Sequence, residues 1–218
     1  MNRLVGVGVY DAREVSFLLG TTTETIIRWS SPDKGGLPAI VQPYVDSYFN
    51  FEDLVSFSVA FHIRRDGISE KNMRSGIEIL RQDWNTLRPL ASQSIIANIA
   101  TSGSSFLTKR GDEWIDIGRG GQGTFRSVIR IYLKNISFNQ SGMASRWFAA
   151  TGVLLDPTIQ AGTPCIDGTR IPTSTILGLL RDESVDEVAS DLDLENGQVE
   201  AARNFELSLA AGNGLRAA

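Results

Sequence analysis

The chain is 218 residues long, with a net charge of −4, 42% hydrophobic and 21% charged residues, one cysteine and one histidine. These totals allow one large or two to three small domains, and exclude an internal disulfide, a multi-cysteine metal site and a histidine-rich one. No apolar run reaches the roughly 18 residues of a membrane span and residues 1–5 carry no export stretch, so the expectation is a cytoplasmic protein without membrane contact.

In chain order, Asp11 stands three residues before Glu14, a capping-box spacing ahead of the apolar stripe Val15, Leu18 and Leu19. Gly20 ends that helix. Thr21 with Glu24 repeats the spacing for a second helix carrying Ile26 and Trp29, which Ser31-Pro32 stops. Residues 33–49 read as a loop with a short hairpin, turning at Lys34-Gly35-Gly36 and at Asp46-Ser47. Asn50 with Asp53 caps a third helix over 51–66, broken by Gly67, and a fourth is expected over 69–87. Pro89 closes this first unit.

The pattern then shortens to strand-like pieces over 95–100, 105–109 and 113–117. After a Gly-rich turn over 118–123, Phe125, Val128, Ile129, Tyr132, Leu133 and Ile136 predict an amphipathic helix over 125–136. Two short strands flank 139–142, a compact turn fills 156–172, and helices follow over 173–182, 184–191 and 196–210. Gly212-Asn213-Gly214 reads as a frayed tail. The fold class is therefore helix-rich α+β. It comprises a winged helix-turn-helix over 1–90, a small antiparallel β region with one helix over 91–150, and a three-helix, helix-turn-helix-like domain over 151–218.

The charge is polarised along these units, at −1, +4 and −7 in turn. Ser16, Gly20, Ile26 and Trp29 occupy the structural positions of a helix-turn-helix. That leaves Thr22, Thr23, Ile27 and Arg28 on the outer face of the second helix, with Lys34 beyond it. Hydroxyls and cations suit phosphates and base edges, and an isoleucine suits a thymine methyl, so these five are the candidate DNA contacts. A second unit of similar spacing at 185–203 shows Glu195, Asn196, Glu200 and Asn204 outward. Phosphates repel such a face, which points to protein contact, with the basic residues Arg203 and Arg216 as candidate partner contacts. Gly118 to Gly123 spells G-x-G-x-x-G, but no acid follows at 138–145, so a tight turn is the better account than a dinucleotide site. Cys165 reads as a small buried hydrophobe rather than the partner of His62 in a nucleophile pair. No acid/base, nucleophile or metal set can be assembled, so neither an enzyme nor a cofactor is expected.

Residues 10–90 resemble the MerR-like winged helix through Tyr10, Ala12, Leu19-Gly20, Ile26, Arg28-Trp29, Phe51-Glu52-Asp53-Leu54 and Gly67-Ile68. Residues 156–205 resemble the VapB-type antitoxin domain through Asp156-Pro157, Gly162-Thr163-Pro164, Gly168-Thr169-Arg170-Ile171-Pro172, Ser184, Glu187 and Val199 to Ala202. The order of the two is similar to mycobacterial VapB antitoxins. The resemblance implies a VapC-type PIN-domain ribonuclease toxin as partner and binding to operator DNA of the protein's own operon. The alternative is a MerR-like transcriptional regulator responding to a small ligand bound by the middle region. One reader covers one half-site, so a homodimer with readers about one DNA turn (~34 Å) apart is expected, through helix 125–136 or the C-terminal helices.

Overall fold

Capping side chains set where the helices begin. The computed structural model describes residues 6–118, 121–122, 129–130 and 135–215. Asp11 and Glu14 form a reciprocal capping box on α1 (Ala12–Leu18), and Asn50 with Asp53 does the same for α3 (Phe51–Arg65). Helix α2 (Thr23–Trp29) is capped one residue later than its sequence suggests. Thr22 accepts from the Thr25 amide, while the Thr21 amide completes the end of α1 by donating to the Ser16 carbonyl. Ser69 caps α4 (Glu70–Trp84). Residues 33–49 turn at both expected places, but apart from the isolated bridges Val45 to Tyr48 and Tyr10 to Phe49 they remain loop.

The strand expected over 95–100 is in part a helical turn, α5 (Gln93–Ile96). Ile95 and Ile96 are both buried. Successive strand residues point to opposite faces, whereas successive helical residues lie about 100° apart and can share one side. The chain then forms β1 (Ile99–Ser102), β2 (Ser105–Arg110), β3 (Glu113–Asp116), β4 (Gly121–Gln122) and β5 (Ile129–Arg130), an antiparallel sheet in the order β4-β3-β2-β1-β5. Helix 125–136 falls mainly outside the described residues; of the Gly-rich motif 118–123, Gly118, Gly121 and Gln122 are described, and the last two pair with β3 as β4. Where the chain is described it is strand, because Ile129 and Arg130 pair with Thr101 and Ala100 along the open side of β1. A second antiparallel sheet, β6 (Ile136–Phe138), β7 (Ala144–Ala150), β8 (Val153–Leu155) and β9 (Cys165–Ile166), precedes α6 (Thr173–Leu179), α7 (Val185–Leu192) and α8 (Asn196–Ala210). The mixed α+β expectation holds. Strands β8 and β9 were too short to show any alternation.

Helix α3 is buried on nearly every side, which is how a helix apolar all round must sit. Phe51, Leu54, Val55, Phe57, Val59, Ala60 and Ile63 are all at most 1% exposed. Around it one apolar cluster gathers α1, α2, α4, Phe106, Trp147 and Leu155, and takes in Phe205 and Leu209 of α8. A second, smaller cluster joins Ile166, Ile176, Val188, Ala189, Val199 and Ala202. The Tyr10 hydroxyl donates to the Gly162 carbonyl at 2.8 Å, tying the start of the chain to the turn before β9. Burial pushes that phenol far above its usual range. Gly162 has φ +89° and a Cβ there would overlap the Tyr10 hydroxyl, so only glycine fits.

Two buried arginines of α4 fix the loop after α2. Arg74, 1% exposed, donates to the carbonyls of Arg28, Ser31 and Pro38 at 2.8–2.9 Å and to Glu70 at 3.1 Å. Arg81 donates to the carbonyls of Ala39 and Ile40 at 2.8 and 2.7 Å. The two lie two helical turns apart, on one face of α4. An arginine fork supplies five donors in a plane, which a lysine cannot. Replacing Arg74 by Met keeps the volume but leaves three carbonyls without donors. The expected loss is about 3 kcal/mol of unfolding free energy in urea titration, with little change in m-value.

Candidate functional site

The outer face of α2 is built on that support. Ile27 is 54% exposed, and the Arg28 side chain is about half exposed. The Arg28 Nε donates to Glu70 Oε2 at 3.2 Å, and the Trp29 indole N–H donates to the same oxygen at 3.2 Å. Glu70 Oε1 takes the buried Arg74. One carboxylate thus orients an outward arginine, an inward arginine and a core tryptophan. Burial pushes the Glu70 carboxyl up, but the combined hydrogen bonds of Arg74 and Trp29 and the charges of both arginines bring it below the usual glutamate value.

The two threonines have structural duties. Thr22 is exposed, yet its hydroxyl serves as the α2 cap and lies 3.0 Å from that of Thr25. Thr23 is half-buried, with its hydroxyl 3.0 Å from that of Ser16, which ties α2 to α1. Lys34 is exposed at the tip of the turn closed by Asp33, whose carboxylate accepts from the Gly35 and Leu37 amides. Beside α2 runs a groove of about 740 Å³, bordered by Thr23, Ile27, Arg13, Ser31, Ser47 and Tyr48. The sequence reading missed Arg13 and the 43–49 loop as parts of this surface, and missed Glu70 altogether. The Glu70/Arg74 spacing of four residues was the available signal for the last.

The C-terminal unit presents a different surface. Exposed Asp186, Glu187, Asp191, Asp193, Glu195 and Glu200 lie on α7, on the start of α8 and on the turn between them. Arg203 is half-buried, with Nη2 3.9 Å from Glu200 Oε1, so its charge is partly answered within α8. Arg216 lies outside the described residues. The Gly168-Thr169-Arg170-Ile171-Pro172 stretch is a tight turn. The Thr169 hydroxyl donates to the Ile166 carbonyl and accepts from the Ile171 amide, and Pro172 stands at the start of α6. Burial raises the Cys165 thiol, and its S–H donates to the Thr163 carbonyl at 3.3 Å. That is the buried hydrophobe expected.

Because the folded-state Glu70 value lies below the ordinary 4.5, its contribution is present above that pH and lost as the pH falls through the folded value. The unfolding free energies of wild-type and Glu70→Gln proteins should differ by about 1–2 kcal/mol near neutrality and converge as the pH falls below 4.5 through the folded value in acid-titrated denaturation curves.

A family described as a protein of unknown function (DUF433) matches residues 153–205, from β8 into α8. The chain is 26% identical over 140 residues to "Putative antitoxin VapB45" of Mycobacterium tuberculosis, a match covering 59% of this chain and 58% of that relative. The chain therefore spans little more than half the length of that curated relative. The X-ray crystal structure of Rv2018 from Mycobacterium tuberculosis superposes with a TM-score of 0.63 at 21% identity, covering 91% of this chain and 98% of the other, a likeness of fold. The chain is similar in sequence to an antitoxin over these 140 residues, and similar in fold to a mycobacterial protein over nearly its whole length.

Proposed function

We propose that the protein is an antitoxin-type, non-enzymatic regulator in which α1 and α2 form a DNA-reading helix-turn-helix and the acidic α7–α8 surface holds a toxin of the VapC-type PIN-domain ribonuclease class. One observation carries this reading. A rigidly backed α2 face presents Ile27 and Arg28, with Arg13 and Lys34 exposed nearby in the chain, while the acids of α7 and of the following turn are exposed and form no ion pair among the described residues. Phosphates attract the first and repel the second, so the two surfaces suit two different partners. The similarity to an antitoxin supports this division of labour.

The DNA arm is tested by gel shift on the segment upstream of the protein's own reading frame. Arg28→Ala and Ile27→Ala should each weaken binding by more than ~1 kcal/mol with unchanged thermal stability. Thr22 and Thr23 are poorer probes, since losing a cap alone costs about 1 kcal/mol of stability. Equal affinity in both variants would remove α2 as the reader. Operator binding by two readers calls for a homodimer, and light scattering on the DNA-bound protein should give two chains per site.

The toxin arm is tested with a ribonuclease of the VapC-type PIN-domain class. Asp186→Lys with Asp191→Lys should slow association at least ten-fold at low salt and flatten the salt dependence of the on-rate in surface plasmon resonance. A rate unchanged by the double reversal would place the toxin elsewhere. A ligand-responsive regulator is the second reading, favoured by a polar cleft of about 490 Å³ between the start of α3 and β6–β7, bordered by Asn50, Glu52, Asn139 and Arg146.

A further inference from the structure

The C-terminal end of α8 and the C-terminal end of α1 meet through their caps. Helix α8 ends in a Schellman turn, with the Gly212 amide donating to the Leu209 carbonyl and the Asn213 amide to the Ser208 carbonyl. Helix α1 ends the same way, with the Gly20 amide on Phe17 and the Thr21 amide on Ser16. That pattern leaves the carbonyl of Leu18 unfilled within its own helix. The amide of Leu215 fills it, donating to the Leu18 oxygen at 2.5 Å.

The contact is specific because bare backbone meets bare backbone. A Cβ on Gly214 would overlap the main chain of Leu19 and Gly20, and one on Gly20 would overlap Gly212 and Gly214. Gly20 also has φ +61°, which the turn requires. Leu215 is 6% exposed and part of the main apolar cluster, and with Gly20, Thr21, Phe61, His62 and Arg65 it borders a small hollow. The expected frayed tail is thus packed as far as Leu215, because its glycines let the chain close on α1. Helix α8 itself belongs to both cores, through Val199 and Ala202 in one and Phe205 and Leu209 in the other.

We propose that residues 212–215 form an intramolecular latch on the turn between α1 and α2. Seated, the latch holds the α2 face in one geometry. Lifted through a displacement of α8, it lets that turn open and the face lose order. The second half of this inference rests on reading α2 as the DNA reader; the first half does not.

The test uses the full chain and native-state hydrogen exchange. In the wild-type protein the amides of Gly20, Thr21 and Leu215 should exchange through one shared local opening, at matched rates and well before the amides of Val59 and Ile63 in α3. In Leu215→Ala, exchange at Gly20 and Thr21 should rise at least ten-fold while Val59 and Ile63 stay unchanged, and affinity for the upstream DNA should fall about ten-fold. Leu215→Met, which keeps a buried apolar side chain of similar volume there, should restore both. Wild-type protection at Gly20 and Thr21 in Leu215→Ala would overturn the latch. So would an equal rise throughout α3, or exchange of the three wild-type amides only by global unfolding. Faster exchange with unchanged DNA affinity would overturn the tie to reading alone. Failure of the wild-type protein to bind DNA would overturn the reader, while exchange still decides the latch.

Discussion

A guanidinium buried among backbone carbonyls organises the α2 region. Arg74 reaches the carbonyls of Arg28, Ser31 and Pro38, so the end of α2 and the loop after it are tied to one rigid point on α4. The carbonyls at a helix C-terminus carry the negative end of its dipole, which favours a cation there. Its carboxylate partner, Glu70, is only partly buried and remains free to engage Arg28 and Trp29. Without this charge the loop carbonyls would be buried and unpaired, and the outward side of α2 would have no fixed backing.

Besides the shared apolar cluster, the units of the chain are joined by polar contacts demanding in geometry. Tyr10 reaches Gly162 across 152 residues, and Leu215 reaches Leu18 across almost the whole sequence. Both depend on a glycine where any side chain would collide. Within the first unit Arg88 pairs with the α3 capping residue Asp53 at 2.7 Å and lies over the Tyr44 ring. Burial pushes the Asp53 carboxyl up and the neighbouring Arg88 opposes that rise. Helix α8 is shared between the two apolar clusters, so the acidic unit and the α1–α2 unit are mechanically joined.

For the two-partner reading proposed above, this joining has a mechanical consequence. Two surfaces, such as the α2 face and the acidic α7–α8 surface, can bind different macromolecules independently if they sit on separate bodies. Here they are linked by a helix that enters both cores and ends on the turn before α2. Coupling between distant sites requires an element whose arrangement both sites bias, and α8 with its terminal segment has the placement for that role.

The sequence by itself determined the capped helices on either side of the middle region and the acidic character of the last third. Capping residues sit next to the amides they satisfy, so Asp11 with Glu14 and Asn50 with Asp53 were legible as local pairs. Net charge per unit needs no coordinates at all. Only the tertiary structure decided the rest, because the deciding partners are remote. Arg74 looks like any helical arginine until α2 and its loop lie against it, and Glu70 joins the α2 face from 42 residues away. Gly214 reads as a fraying signal in isolation, since a glycine lowers local order unless something packs on its bare backbone. Gly20 is that something, and its position beside Gly214 follows from how α1 and α8 pack, which no local pattern encodes.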